Sequence, residues 1–193
     1  MGTASWGTAI VEAAHKLREL LQQHQGIIPA EGLEAKGEAG DNPAAKQFAM
    51  HSYGAQFAEV QVNLDSGEVR VPRLLGVFGV GRVINPKTAR SQLLGGMTMG
   101  LSMALFEESV MDSHFGDFVN HDLAEYHIAT NADVGTIEVA WIDEEDSHLN
   151  PMGAKGLGEV GIVGTAAAIA NAVYHATGIR IRDLPITLDK LLS

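Results

Sequence analysis

The chain of 193 residues contains no cysteine, which excludes disulfides, zinc–thiolate sites and directly ligated iron–sulfur clusters. Positive charge is also scarce: 13 Lys+Arg stand against 24 Asp+Glu, for a formal net charge of −11. So acidic a chain is not built to track a phosphate backbone, and nucleic acid is excluded as a partner. No apolar run reaches the roughly 18 residues that a bilayer crossing needs, so no membrane partner is expected. The opening Met1-Gly2-Thr3-Ala4-Ser5-Trp6 lacks both the charged and the apolar region of a secretory signal. What remains is a chain that is 46% hydrophobic, long enough to bury a core in one domain or two small ones, and too apolar to be disordered.

Periodicity supplies the elements. Residues 6–23 place Ile10, Val11, Ala14, Leu17, Leu20 and Leu21 at helical spacing, with Glu12, Lys16, Arg18 and Glu19 on the other face. The small polar Thr3-Ala4-Ser5 just ahead of them reads as an N-cap, compatible with anion binding. Residues 26–43 read as loop or irregular helix. Residues 53–64 alternate, with Phe57, Val60 and Val62 among polar neighbours; Asp65-Ser66-Gly67 is a turn, and residues 68–80 resume as strand, which predicts a β-hairpin. Asn85-Pro86 opens a long helix over residues 88–108, with Asn as cap and Pro at the first helical position. Residues 116–126 form a loop with some strand character, residues 136–142 a strand, and residues 162–176 a buried helix closed by Gly178. Strands and helices without strict alternation indicate an α+β fold.

The most informative segment is Gly153-Ala154-Lys155-Gly156-Leu157-Gly158-Glu159-Val160-Gly161. Four glycines in nine residues surround one carboxylate just before a helix. Glycine lets a backbone approach a ligand closely, at an entropic cost that packing seldom repays four times in so short a span. Such a loop can hold a single acid or base against a cofactor, or cradle a phosphate. Gly156 to Gly161 also spell G-x-G-x-x-G, with Asp183 about twenty residues on, but no hydrophobic strand leads into them as a dinucleotide-binding turn requires. A second cluster, Gln92-Leu93-Leu94-Gly95-Gly96-Met97-Thr98-Met99-Gly100, puts three glycines in a helix at roughly 0.8–1 kcal/mol each. Close helix packing and ligand contact explain them equally well. His121, His127 and His148 lie near acids without metal-ligand spacing, so no histidine is expected as a ligand.

Taken in order, these clusters resemble the C-terminal part of the molybdenum-binding subunit of the xanthine oxidase family. The likeness is nearest to the bacterial aldehyde oxidoreductases, the periplasmic type in particular, that carry the cytosine dinucleotide form of molybdopterin. The matching motifs are Gly153 to Glu159, Gln92 with Gly95-Gly96, Ala104-Leu105-Phe106-Glu107-Glu108, and Tyr53-Gly54-Ala55 leading into Glu59-Val60. Asn120-His121-Asp122-Leu123-Ala124-x-Tyr126 and Arg182-Asp183-Leu184-Pro185-Ile186-Thr187 complete the set. The resemblance implies Glu159 as the catalytic base, Gln92 as a pterin contact near the metal, and Ala4 and Ser5 as part of a loop that hydrogen-bonds the cofactor. Lys155 and Gly156 would lie beside the base.

It further implies oxidation of a small aldehyde to a carboxylic acid with water as oxygen source. Electrons would leave through iron–sulfur and FAD cofactors held by partner subunits. Family subunits are several times longer, so residues 1–193 are expected to be the C-terminal part of the molybdopterin-binding domain, requiring upstream residues for most of the cofactor and inactive alone. An apolar face made to pack on those residues would drive self-association as a homo-oligomer. The competing readings are a non-catalytic fragment or interaction domain that binds no cofactor, and a nucleotide-binding module on the glycine loop.

Overall fold

The computed structural model describes residues 2–192, which divide into two compact units. The first takes in residues 2–52, Gly79–Ile84 and Ile142–Gly156; the second takes in Tyr53–Phe78, Asn85–Trp141 and residues 157–192.

The second unit is built on a sheet ordered β1 (Tyr53–Val62), β2 (Val69–Gly79), β5 (Thr136–Trp141). The expected hairpin is present. Asn63 Oδ1 accepts from the Asp65 and Ser66 N–H groups, the Asn63 N–H donates to Glu68 O at 2.9 Å, and Gly67 takes φ +74° to close the turn. β5 runs parallel on the other side of β2, with Leu74 opposite Ile137 and Phe78 opposite Trp141. Between them the chain forms α2 (Pro86–Leu105) and a small ribbon of β3 (Met111–Asp112) and β4 (Asp117–Phe118). Helices packed on a mixed sheet make the fold α+β, as the pattern predicts.

Asn85 caps α2 by accepting from the Lys87 and Thr88 N–H groups, with Pro86 at the first helical position. The helix stops at Leu105, short of the expected residue 108, because the Phe106 and Glu107 N–H groups both turn back onto Ser102 O. Leu93, Met97, Leu101 and Ala104 recur on one face and are fully buried with Leu74 and Phe78 of β2. Burying each large side chain contributes about 1.5–3 kcal/mol.

Three sequence expectations change here. Val60 and Val62 face inward on β1 together with Gln56 and Ala58, while Phe57 has the opposite parity and is 59% exposed. The helix expected over residues 162–176 is two pieces, α3 (Val160–Val163) and α4 (Thr165–Thr177), interrupted at Gly164. Gly178 ends α4 as expected, at φ +76° with its N–H on Tyr174 O at 2.8 Å. Residues 160–177 do, against expectation, reach the length and apolarity of a membrane span. The interruption at Gly164 and the burial of Thr165, Ala166, Ile169 and Val173 mark them instead as core helix.

The glycines of α2 are explained by what they face. A Cβ on Gly100 would lie 2.5 Å from Thr165 Cβ, and one on Gly96 would lie 3.0 Å from the Gly161 carbonyl carbon. Gly95 has nothing within 4 Å.

In the first unit, α1 (Gly2–Gln23) starts four residues before the expected position. Thr3, Ala4 and Ser5 are therefore inside its first turns rather than an N-cap ahead of them. No residue of α1 is buried, and Trp6 and Ile10 are 77% and 65% exposed. The loop of residues 24–42 runs back over the helix: a Cβ on Gly37 would lie 1.9 Å from Ala9 O, and the Glu38 N–H donates to Glu12 Oε2 at 2.7 Å. Farther along, Lys155 Nζ, on a side chain only 7% exposed, donates to Glu144 and lies 3.7 Å from Asp146. The hydrogen bond from Lys155, with help from the Gly81 N–H, holds the Glu144 carboxyl below the usual carboxylate range.

Two measurements test this architecture. Gly100→Ala should destabilise the chain, since strain of about 1–3 kcal/mol outweighs the gain in helix propensity, while Gly95→Ala should stabilise it by up to ~1 kcal/mol. Chemical unfolding of the two variants decides; equal shifts of one sign would refute the packing. Because folding lowers the Glu144 pKa, its contribution is present above the unfolded value near 4.5 and is lost as pH falls through the folded value. Melting curves from pH 7 to 3 should therefore fall less steeply for Glu144→Gln than for the parent.

Candidate cofactor and catalytic site

Asn150 shapes the entry to the glycine loop. Its Oδ1 accepts from the Met152 and Ala154 N–H groups at 3.1 and 3.3 Å, and its amide donates to Ala154 O at 2.8 Å. Gly153 turns the chain at φ +64°, and an isolated bridge pairs Ala154 with Gly81. Through it the Arg82 N–H reaches Gly153 O at 2.8 Å and the Lys155 N–H reaches Val80 O at 3.0 Å. The backbone and ammonium of Lys155 are thus both engaged within the first unit. The residue anchors the loop, and its charge is already met by Glu144.

Beyond Lys155 the constraints stop. Gly156 is exposed and a Cβ there would meet nothing within 4 Å; Ser52 Oγ holds its carbonyl. At Gly158 a Cβ would meet only Gln92 Nε2, at 4.0 Å. Glu159 is exposed and its side chain makes no capping hydrogen bond to α3. That helix is a single turn, so it lends the carboxylate far less dipole than the uninterrupted helix expected from sequence. Order returns at Gly161, where a Cβ would lie 2.9 Å from Leu93 O.

The four glycines therefore divide. Gly153 serves the turn and Gly161 serves helix packing, whereas Gly156 and Gly158 satisfy no need of the chain's own fold. With Gly95 they leave bare backbone of the kind a bound group can approach closely. Gln92 is exposed on α2, and its Nε2 is the atom that a Cβ on Gly158, the residue before Glu159, would meet. Ala4 and Ser5 line a groove of about 990 Å³ in the first unit, with Glu12, His15, Asn42 and His148 among its other walls. Among the described residues no cluster of three or more His, Asp or Glu is placed to hold a metal. The G-x-G-x-x-G string follows the Gly81–Ala154 bridge rather than a sheet strand and opens a one-turn helix, so it lacks the dinucleotide-binding context.

Several motif residues hold structure. Tyr126 Oη donates to Glu107 Oε2 at 3.0 Å, and the Asn120 amide donates to Glu108 O at 2.6 Å while its oxygen accepts from the Val110 N–H. Sequence reasoning passed over Gln56, whose amide donates to Gly161 O at 2.9 Å and whose oxygen accepts from Thr165 Oγ1 at 2.5 Å. The signal was available, since Gln56 shares the inward parity of Val60 and Val62.

Comparison with known proteins completes the picture. Residues 7–135 match the model of the molybdopterin cofactor-binding domain. The aldehyde oxidoreductase molybdenum-binding subunit PaoC of Escherichia coli strain K12 is 43% identical over 97% of this chain, which spans 30% of that relative's length. The putative xanthine dehydrogenase molybdenum-binding subunit XdhA of the same strain is 37% identical over 72% of the chain and 18% of the relative. Among solved structures, the aldehyde oxidoreductase of Desulfovibrio desulfuricans superposes with a TM-score of 0.82 at 27% identity, over 99% of this chain and 22% of that one. The chain belongs to the molybdopterin cofactor-binding domain family, within the molybdenum-binding subunits of the xanthine oxidase type.

Proposed function

We propose that this chain is the C-terminal cofactor-binding part of a molybdenum hydroxylase subunit that oxidises aldehydes to carboxylic acids, with Glu159 as general base. The observation that carries the reading is that Gly156 and Gly158, beside the exposed Glu159 carboxylate, have open space where a side chain would stand, with only the Gln92 amide at 4.0 Å from a Cβ on Gly158. When bound, a molybdopterin, in its cytosine dinucleotide form, would accept the two electrons and supply an activated oxygen derived from water.

The residues of this chain do the rest. Glu159 would hold and take up a proton as the general base, and so would have to come within about 3 Å of the group it deprotonates. Gln92 can donate from Nε2 and accept at Oε1, which suits the polar edge of a pterin. Gly156, Gly158 and Gly95 let backbone and cofactor approach without a side chain between them. The family likeness adds Ala4 and Ser5 as cofactor contacts. Iron–sulfur and FAD partner subunits would take the electrons onward, since a chain without cysteine ligates no cluster of its own.

Glu159→Gln in the cofactor-loaded enzyme should lower aldehyde turnover by about 10²–10⁴-fold with bound molybdenum unchanged. Near-parental rates would refute the base assignment. Gly156→Val should leave unfolding stability within ~0.5 kcal/mol, there being open space around it, yet reduce the pterin and molybdenum recovered per chain. Full cofactor content in that variant would count against the loop as a binding element.

A further inference from the structure

Gln56 is the polar residue on the inward face of β1, and both ends of its amide are committed to the turn that follows Glu159. Nε2 lies 2.9 Å from Gly161 O and 3.4 Å from Val160 O, so the two carbonyls fix the amide with its nitrogen toward them. Oε1 then faces Thr165 Oγ1 at 2.5 Å, and Thr165 is fully buried. The Thr165 hydroxyl also lies 3.0 Å from Gly161 O, but its single proton can serve one acceptor at a time. With Gln56 present, a directional chain forms: the Thr165 hydroxyl donates to Gln56, and Gln56 donates to Gly161. No other uncharged side chain of this length offers a donor and an acceptor together.

The clamp sits where the main chain is otherwise weakest. α3 is one turn long, α4 begins only after the break at Gly164, and the Glu159 side chain makes no capping hydrogen bond to α3. A Cβ on Gly164 would lie 3.3 Å from Gln56 Cδ, so the same side chain also packs against the break.

We propose that Gln56 is a positioning residue for Glu159. Through the Val160 and Gly161 carbonyls and the Thr165 hydroxyl, it fixes the α3 turn and with it the direction in which the carboxylate is presented beside Gln92. The inference rests on the reading of Glu159 as the base. A misplacement of about 1 Å can lower a rate by 10²-fold, so the loosened turn is felt in the chemical step rather than in substrate capture.

Gln56→Met keeps length and removes both hydrogen bonds. In the cofactor-loaded enzyme it should lower kcat about tenfold or more, with KM within about twofold and bound molybdenum unchanged. Hydrogen–deuterium exchange should quicken at the amides of residues 160–164 and not along α2. Thr165→Val should reproduce the loss, Thr165→Ser should restore activity, and the double variant should be no worse than either single, as for members of one network. If Gln56→Met fails to accumulate, the Thr165→Val and Thr165→Ser pair decides alone. Parental kcat with faster local exchange would show the clamp to be only structural, and reduced kcat with parental exchange would place its effect elsewhere; either overturns the proposal. If Glu159→Gln is itself active, the underlying reading fails. If Glu159→Gln is inactive while Gln56→Met is not, only the positioning role falls.

Discussion

The close approach of α2 to the chain around α3 and α4 governs the second unit. Gly96 meets the Gly161 peptide and Gly100 meets Thr165 with no side chain between the two backbones. Helix geometry extends that contact along both segments. Gln92 lies one turn before Gly96 on the same face, and Gly158 lies three residues before Gly161. Fixing the Gly96–Gly161 contact therefore carries Gln92 alongside Gly158. A methyl group at either contact would push the helix away and open the pair.

Each glycine inside α2 costs roughly 0.8–1 kcal/mol relative to alanine. At Gly96 and Gly100 the cost is offset by dense contact with the neighbouring chain. At Gly95 nothing in this chain offsets it, since the space beside it is empty. A destabilising residue with no internal compensation, one helical turn from Gln92, is what a surface reserved for a closely approaching ligand would carry.

Much of this was legible from local chemistry. The Asn85 cap, the Asn63 to Gly67 turn and the Gly178 stop each depend on a side chain or a positive φ acting within a few residues, so a short window of sequence contains the cause. The break at Gly164 was not legible, since an apolar run marks no interruption and the side chain packed beside it, Gln56, lies more than a hundred residues earlier. Nor could sequence divide the glycines. Whether Gly96 or Gly95 faces a neighbour is a matter of helix phase against an element about sixty-five residues away. Gln56 itself was hidden by its polarity, because hydrophobic periodicity ranks an inward glutamine as noise even where the valines beside it fix the face. Lys155 shows the same limit: nothing in its motif points to Glu144, eleven residues earlier, as the carboxylate that holds its ammonium.

Constraint along the glycine loop is uneven. On one side, the Gly81–Ala154 bridge and the Lys155–Glu144 pair hold the chain within the first unit. A largely buried ion pair adds little net stability, but losing either partner leaves a charge uncompensated, so the pair fixes position more than it strengthens the fold. On the other side, Gly161 is held by Leu93, Gly96 and Gln56 within the second unit. Within residues 156–159 neither Gly156 nor Gly158 carries a side chain, so Glu159 is the one ionisable group of the segment.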